Sequence, residues 1–244
     1  MQTYGIDYLN KDEGVVIDVG GGKGELAFEL INLSGINECI VFDPRPTNLK
    51  LVQQKWRKGL WEPRRRTGMF CKWNPACEDG CKDRIPTSPK HIRCFFDYPS
   101  FIQHFMNDKN GSIVESTNQQ FLQELNRAKR ITWTTKGLQE HEDGVNDEEE
   151  EEVEDNDDDD DDSNDTKQAT SSSSAEITDP TEARDFLQRC HLIIGLHPDQ
   201  PTGDIVDFAL DNNLPWCVVP CCVYSDMFND RKLQDGKKVT HMII

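Results

Sequence analysis

The stretch Val15–Glu25, with the sequence VVIDVGGGKGE, constrains the fold more than any other part of the chain. Its first five residues are apolar apart from Asp18, three glycines and Lys23 follow, and an apolar pattern with helical spacing begins at Leu26. Such an order predicts a buried strand, a tight turn and the N-terminus of a helix. Glycines let a ligand approach the backbone closely, and a helix N-terminus presents free N–H groups.

Three nucleotide-binding patterns compete for this loop. The dinucleotide pattern G-x-G-x-x-G, counted from Gly20, requires glycine at position 25, where the chain has Glu25. The P-loop requires Ser or Thr after its lysine, and Lys23 is followed by glycine. A turn without any ligand is a fourth alternative, but packing does not explain an acid inside the strand. The remaining pattern is apolar-acid-apolar-G-x-G-x-G, and its acid and glycines are Asp18, Gly20, Gly22 and Gly24.

This last pattern resembles motif I of the class I S-adenosylmethionine-dependent methyltransferases. The resemblance implies a Rossmann-like class I methyltransferase sheet of the α/β class, S-adenosyl-L-methionine as cofactor, and cofactor-binding roles for the acid and the glycines. The next predicted strand, Cys39–Phe42, ends at Asp43, where an acid accepts hydrogen bonds from two ribose hydroxyls. The alternative for Asp43 is a turn-forming Asp before proline. A third predicted strand, His91–Asp97, makes Asp97 a candidate contact for the adenine amine, as in methyltransferases of this class.

The second half of the chain predicts a strand over 191–196, a helix around Ile205–Leu210 and a strand over 216–219. Strands joined through a helix are parallel, and ligands bind beyond their carboxyl ends. His197 and Asp199 follow the first of these strands and are candidate catalytic residues, either as a base or as groups that hold the acceptor. The alternative for His197 is a strand-end histidine bonded to backbone. Cys221 and Cys222 suggest either a thiolate nucleophile or, more simply, packing of a strand end.

Two further stretches sharpen the resemblance. Gly195–Gln200, with the sequence GLHPDQ, and Val219–Cys222, with the sequence VPCC, resemble a methyltransferase subgroup that includes tRNA 2′-O-methyltransferases. That subgroup has Cys-Gly after the histidine, where this chain has Pro198-Asp199, so an uncharacterised methyltransferase-domain group is the closer likeness. The substrate of that subgroup therefore does not carry over to this chain, and RNA, as tRNA or rRNA, is predicted as the acceptor together with the basic stretch Lys50–Arg66.

The net charge of −18 belongs to one segment. Residues 139–180 hold 20 of the 45 acidic residues and one of the 27 basic ones, so the remainder carries 25 acids and 26 bases. With few apolar side chains, this segment is predicted to be a disordered acidic insertion. It separates residues 1–138, which include a cysteine-containing insertion at about 63–94, from residues 181–244. Only five strands are identified where a full sheet of this class has seven, so the last strands are missing or the sheet is shortened.

A basic and aromatic stretch, Lys50–Arg66, is a candidate RNA-binding surface that combines phosphate contacts with stacking on Trp56 and Trp61. The alternative is a solvated helix face with both tryptophans turned inward.

The nine cysteines occur without a signal peptide or a membrane-spanning apolar run, which predicts reduced thiols in the cytoplasm or nucleus. Zinc is a weaker alternative, because the spacing of Cys71, Cys77, Cys81, His91 and Cys94 departs from paired C-x2-4-C ligands, and no metal is predicted. The sequence therefore predicts a methyltransferase. The alternatives are a catalytically inactive methyltransferase-like module that binds RNA or protein, and an NAD-type oxidoreductase that Glu25 disfavours.

Overall fold

The computed structural model describes residues 5–60, 84–107, 114–134, 137–140, 174–198 and 200–220. Its centre is a parallel sheet of six strands in the order β6-β3-β2-β1-β7-β8. The strands are β1 (Val15–Val19), β2 (Cys39–Phe42), β3 (Lys90–Ile92), β6 (Ala175–Glu176), β7 (Cys190–Leu196) and β8 (Trp216–Val219). A separate antiparallel pair consists of β4 (Ile131–Thr134) and β5 (Gly137–Glu140).

The helices alternate with the strands of the parallel sheet. They are α1 (Ile6–Asn10), α2 (Glu25–Ser34), α3 (Lys50–Arg57), α4 (Gln103–Asn107), α5 (Val114–Arg130), α6 (Pro180–Gln188) and α7 (Thr202–Asp211). The order 3-2-1 followed by the two later strands is Rossmann-like, with β1 at the position where the direction of winding reverses. The α/β prediction with parallel strands is therefore confirmed.

Two apolar layers cover the sheet. On one face, Val15, Ile17 and Val19 pack in one cluster with side chains of α4, α5, α6 and α7, including Phe105 and Phe208. On the other face, Val16 and Val41 pack with Leu9 and Ala27 of α1 and α2. Because successive residues of a strand point to opposite faces, Asp18 lies on the α1–α2 face together with Val16.

The strands at 15–19, 39–42, 191–196 and 216–219 are confirmed within one residue. The third strand is shorter than predicted: it ends at Ile92, not at Asp97. Its apolar continuation leaves the sheet, and Phe96 packs edge-on against Phe42 of β2 and Phe208 of α7 at ring-centroid distances of 5.1 and 5.6 Å. An apolar run that enters the core as a loop looks in the sequence like a strand.

The two ends of the predicted disordered insertion are ordered. Residues 139 and 140 belong to β5, and Ala175–Glu176 forms β6 against β3. Ile177 is buried, and the Asp179 carboxylate caps α6 by accepting the Thr181 N–H at 2.8 Å. The disorder prediction therefore fails for 139–140 and 174–180, whereas residues 141–173 lie outside the described residues.

Candidate ligand site at the carboxyl ends of the strands

The glycine loop between β1 and α2 has the backbone that its sequence requires. Gly20, Gly22 and Gly24 have φ values of +70°, +55° and +84°, a region that residues with a side chain rarely adopt. The Gly20 N–H donates to the Phe42 carbonyl at 2.9 Å, which ties the loop to the end of β2. A Cβ at Gly20 would lie 2.9 Å from the Cα of Pro198, so the loop also contacts the segment after β7. The pattern glycines therefore lie where β1, β2 and β7 end.

Asp18 lies beneath this loop in an unusual environment. Its side chain is fully buried, and neither carboxyl oxygen has a hydrogen-bond partner among the described residues. A Cβ at Gly21 would lie 2.6 Å from its Oδ2. Burial, and secondarily the charge of Asp43, raises the pKa of Asp18 to about 7. Buried polar groups are almost always hydrogen-bonded, so an exception beside a glycine loop marks a candidate site.

Asp43, one residue beyond β2, is equally buried but fully hydrogen-bonded. Its Oδ2 accepts the Gly22 N–H and the Arg45 Nη2, both at 2.8 Å. Its Oδ1 accepts the Arg45 N–H at 2.8 Å and the Arg45 Nε at 3.0 Å. Asp43 thus fixes the glycine loop and forms a bidentate ion pair with Arg45.

The backbone of Asp43 is held from the side of β3. The Asp43 N–H donates to the Ile92 carbonyl at 3.2 Å, and the His91 Nε2 lies 2.8 Å from the Asp43 carbonyl oxygen. Because a carbonyl only accepts, the His91 Nε2 carries the proton. Burial lowers the pKa of His91, which favours the neutral ring. His91 therefore positions Asp43 as a neutral donor.

His197 follows β7 in a strained conformation. Its φ is +55°, and its N–H donates to the Val219 carbonyl of β8 at 2.8 Å. The side chain is exposed, while the next residue, Pro198, is buried against Gly20 and Gly195. Left-handed residues other than glycine concentrate at functional sites. Asp199, the other predicted catalytic residue, lies outside the described residues.

Asp97 does not lie at the carboxyl end of a strand, because β3 ends five residues before it, at Ile92. Its side chain is exposed, and its Oδ1 accepts the Ser100 N–H at 3.1 Å, which caps the turn Tyr98–Ile102. It lies near Asp204 of α7, where burial and, to a smaller extent, the charge of Asp97 raise the pKa of Asp204. The placement of Asp97 at a strand end is therefore wrong, because β3 ends at Ile92, and its cofactor-binding role stays a prediction.

The structure also adds a residue that the sequence analysis missed. Arg45 supplies three of the four donors to Asp43, yet its only sequence signal is its position two residues after an acid. A short turn Asp-Pro-Arg allows the arginine backbone and side chain to reach back to the same carboxylate. No pattern of residue types distinguishes this geometry from an exposed arginine.

The basic stretch divides into a core part and a surface part. Trp56 is buried, packs edge-on against Phe28 at 5.9 Å and donates its Nε1–H to the Arg84 carbonyl at 2.8 Å. Of the two alternatives for Trp56, the one with the ring turned inward is therefore confirmed and base stacking on it is wrong, because the ring is part of the core. Lys50, Arg57 and Lys58 are exposed. Residues 61–66, including Trp61, lie outside the described residues.

Within the described ranges, no three His, Cys, Asp or Glu side chains are arranged to hold a metal ion, and no helix is long and apolar enough to cross a membrane. Of the cysteines and histidine considered for zinc, only His91 and Cys94 are described. Burial raises the pKa of the Cys94 thiol well above its usual range, so this thiol remains protonated.

Comparisons with known proteins found no matching family model, no matching curated protein and no matching solved structure. The residues of the site are therefore the basis on which a function is assigned to this chain.

Proposed function

We propose that this chain is an S-adenosylmethionine-dependent methyltransferase whose cofactor binds at the carboxyl ends of β1 and β2. The observation that most supports the proposal is the buried carboxyl of Asp18, which has no hydrogen-bond partner among the described residues. An ionised carboxylate in such a place is costly unless a positive charge lies nearby. S-adenosylmethionine carries an ammonium and a sulfonium, so its binding at the loop above Asp18 would lower that cost without direct contact.

The residues of the loop fit the cofactor in two other respects. Glycine at positions 20, 22 and 24 leaves the backbone open to close approach by a ligand. Asp43 lies beside Gly22, with one carboxyl oxygen for each of two ribose hydroxyls. These residues would hold the cofactor, which when bound supplies a methyl group activated by the adjoining sulfonium.

The acceptor would lie at the ends of β7 and β8. His197 is exposed there and would hold the acceptor by a hydrogen bond, or accept a proton from a hydroxyl or amine acceptor. Correct alignment of acceptor and methyl donor supplies much of the rate in such a displacement. Asp199 remains a predicted second acceptor-side residue.

We further propose RNA, tRNA or rRNA, as the acceptor. The exposed cations Lys50, Arg57 and Lys58 of α3 and the following turn, together with Lys23 of the glycine loop, favour a polyanion. With Trp56 in the core, this surface would bind phosphates and would not use that ring for stacking.

A second candidate is a catalytically inactive methyltransferase-like module that binds RNA or protein. The observation that favours it is the state of Asp43, whose acceptor positions are all filled by the chain itself. A carboxylate whose acceptor positions are already filled would not need a cofactor to satisfy its hydrogen bonds.

Calorimetric titration with S-adenosylmethionine, S-adenosylhomocysteine and NAD distinguishes these candidates. Binding of the first two, with loss on Asp43→Ala and no binding of NAD, is the expected result. No binding of either methionine-derived ligand would overturn the methyltransferase proposal.

Transfer of a labelled methyl group to pooled tRNA and rRNA then separates an enzyme from a binding module. We expect His197→Ala to abolish transfer while leaving S-adenosylhomocysteine binding unchanged. Cofactor binding with no transfer to either RNA pool would contradict the RNA acceptor, and unchanged transfer by His197→Ala would remove its acceptor-side role.

A further inference from the structure

The Asp43 carboxylate has no free acceptor position. A carboxylate has about four lone-pair positions, and four donors at 2.8–3.0 Å occupy them. Two of these donors are backbone N–H groups, of Gly22 and Arg45, and two belong to the Arg45 guanidinium. A ribose can therefore bind to Asp43 only if one or more of these donors leaves.

The guanidinium donors are the ones that match a ribose. The Arg45 Nε bonds to Oδ1 and the Arg45 Nη2 bonds to Oδ2, so the side chain places one donor on each oxygen. A vicinal diol also offers one hydroxyl to each oxygen. The Nη2 atom lies 3.7 Å from the position that a Gly22 Cβ would occupy, so the guanidinium lies against the glycine loop.

We propose that Arg45 is an intramolecular competitor for the ribose diol, which must swing away from Asp43 before the nucleoside part of the ligand binds. The inference rests on the proposed function, because it assumes a ribose ligand at this loop. It reconciles a closed site in the free protein with cofactor binding, and it makes Arg45 the residue that limits the affinity of the site.

Two features make the Arg45 side chain, and not the backbone donors, the group that leaves. The Arg45 side chain is 42% exposed, whereas the Asp43 side chain is fully buried, so the guanidinium has solvent available as an alternative partner. After it leaves, the backbone N–H groups of Gly22 and Arg45 still hold one carboxyl oxygen each. Asp43 therefore stays in place while two acceptor positions, one on each carboxyl oxygen, become free for a diol.

The exchange of partners at Asp43 determines whether the Arg45 side chain raises or lowers the affinity for the ligand. Ligand binding replaces a bidentate ion pair with two hydrogen bonds from neutral hydroxyls, so the Arg45 side chain opposes binding. Removing that side chain eliminates the competition and leaves the backbone N–H of residue 45 in place. We expect Arg45→Ala to lower the Kd for S-adenosylhomocysteine and for adenosine by about fivefold or more.

Arg93→Ala is the matched control. Arg93 lies beside the same turn, where its Nε donates to the Pro44 carbonyl at 3.2 Å, and its removal takes away the same charge without touching the Asp43 carboxylate. Its Kd for both ligands should stay within about twofold of the wild-type value. Equal tightening in Arg45→Ala and Arg93→Ala would assign the effect to general charge and overturn the competition.

A double-mutant cycle with Asp43→Asn locates the effect. In the Asp43→Asn background the guanidinium loses its carboxylate, so adding Arg45→Ala should change the Kd for adenosine by less than about twofold. Tightening of the same size in both backgrounds would contradict competition at Asp43. Circular dichroism and thermal melts of each variant establish that the comparisons are between folded proteins.

Nitrogen-15 NMR of the full chain supplies a readout that does not depend on affinity. The Arg45 Nε–H should be protected from exchange in the free protein and lose protection when S-adenosylhomocysteine or adenosine saturates the site. Retained protection in the saturated protein, or weaker binding by Arg45→Ala, would show that Arg45 positions Asp43 and does not compete.

The two ligands distinguish failure of this inference from failure of the proposed function. Tighter adenosine binding by Arg45→Ala without any binding of S-adenosylmethionine would support the competition and overturn the methyltransferase proposal. Binding of S-adenosylhomocysteine that is unaffected by Arg45→Ala would support the methyltransferase proposal and overturn the competition. Absence of binding by both ligands to every variant would overturn both.

Discussion

Asp18 and Asp43 occupy neighbouring positions in the sheet and differ in almost every interaction. Asp18 is the fourth residue of β1, Asp43 follows the last residue of β2, and both side chains are fully buried. Asp43 accepts four hydrogen bonds, whereas Asp18 accepts none from the described residues. Burial alone therefore does not decide the hydrogen bonding or the protonation of a carboxyl group, because two equally buried groups can meet different donors.

The difference divides the site into two halves: the half at β2, where the acid has all its hydrogen-bond donors, and the half at β1, where the described residues give the acid none. At β2 the chain supplies its own cation, Arg45, so Asp43 is stable as an anion. At β1 the described residues supply no hydrogen-bond donor to Asp18, and burial together with the charge of Asp43 raises the pKa of Asp18 to about 7. A cationic ligand would complete the β1 half and compete with Arg45 at the β2 half. Four substitutions, taken from the largest expected effect on stability to the smallest, test the two acids and the loop and strand-end residues around them.

Asp18→Asn should stabilise the protein at alkaline pH. The folded pKa of about 7 exceeds the ordinary value of 3.8, so between these pH values the folded chain retains a proton that the unfolded chain has lost. Stability from this group is therefore complete below about pH 4 and is lost as the pH rises to about 7. At about 1.4 kcal/mol per pKa unit, we expect the variant to gain about 4 kcal/mol at pH 8 and almost nothing at pH 4.

Urea unfolding at the two pH values measures this gain. Asp7→Asn is the control, because it removes an exposed carboxylate of α1 and should change the stability by a similar small amount at both pH values. The Asp18→Asn variant should also lose affinity for S-adenosylmethionine while it gains stability. A variant less stable than the wild type at pH 8 would mean that Asp18 has a partner in the folded chain, and the contrast with Asp43 would disappear.

Asp43→Asn should have the opposite effect on stability. The amide cannot accept all four bonds, so the Gly22 N–H or the Arg45 guanidinium loses its partner, at a cost of about 2 kcal/mol. Asp185→Asn is the control, because its carboxylate pairs with Arg189 at 2.7 Å but is 56% exposed, and it should cost less than about 0.5 kcal/mol.

The same substitution tests the coupling between the two acids. Because the charge of Asp43 contributes to the raised pKa of Asp18, Asp43→Asn should lower the pKa of Asp18, as measured by NMR titration of its carboxyl carbon. An unchanged pKa of Asp18 would leave burial as the whole cause.

Gly20→Ala tests the contact between the glycine loop and the segment after β7. The variant places a side chain at φ +70° and 2.9 Å from the Pro198 Cα, which should cost about 1–2 kcal/mol of stability in thermal melts. Gly203→Ala in α7 is the control, because a Cβ there meets nothing within 4 Å. It should stabilise the protein by about 0.5 kcal/mol through helix propensity. A neutral Gly20→Ala would indicate that β1 and β7 do not converge at this loop.

His197→Gly should have the smallest effect on stability. Glycine relieves the strain at φ +55° but adds freedom to the unfolded chain, so we expect a gain of about 0.5 kcal/mol. His197→Ala keeps the strain and should not gain. A loss of stability in both variants would indicate that the imidazole has a structural partner and would weaken its acceptor-side role.

Much of the sheet was predictable because its strands are continuous apolar runs between turn residues. Five strands and their parallel arrangement follow from such runs. The length of β3 does not, because Phe96 lies outside the strand and its apolar ring packs in the core. The strand β6 was also unpredictable. Ala175 and Glu176 are both exposed, so the backbone pairing with β3 leaves no pattern in the residue types.

The sequence by itself determined the conformation of the glycine loop, since Gly20, Gly22 and Gly24, the glycines of the pattern, are the residues of this loop that have positive φ. It also placed Asp18 inside β1 and Asp43 directly after β2, because burial and backbone shape follow from local patterns. Only the tertiary structure decided that, within the part of the chain that is described, Asp43 receives four donors and Asp18 receives none. Hydrogen-bond partners of a buried carboxylate depend on where backbone and side-chain donors converge in space, and that convergence is set by packing between loops, not by the spacing of residue types.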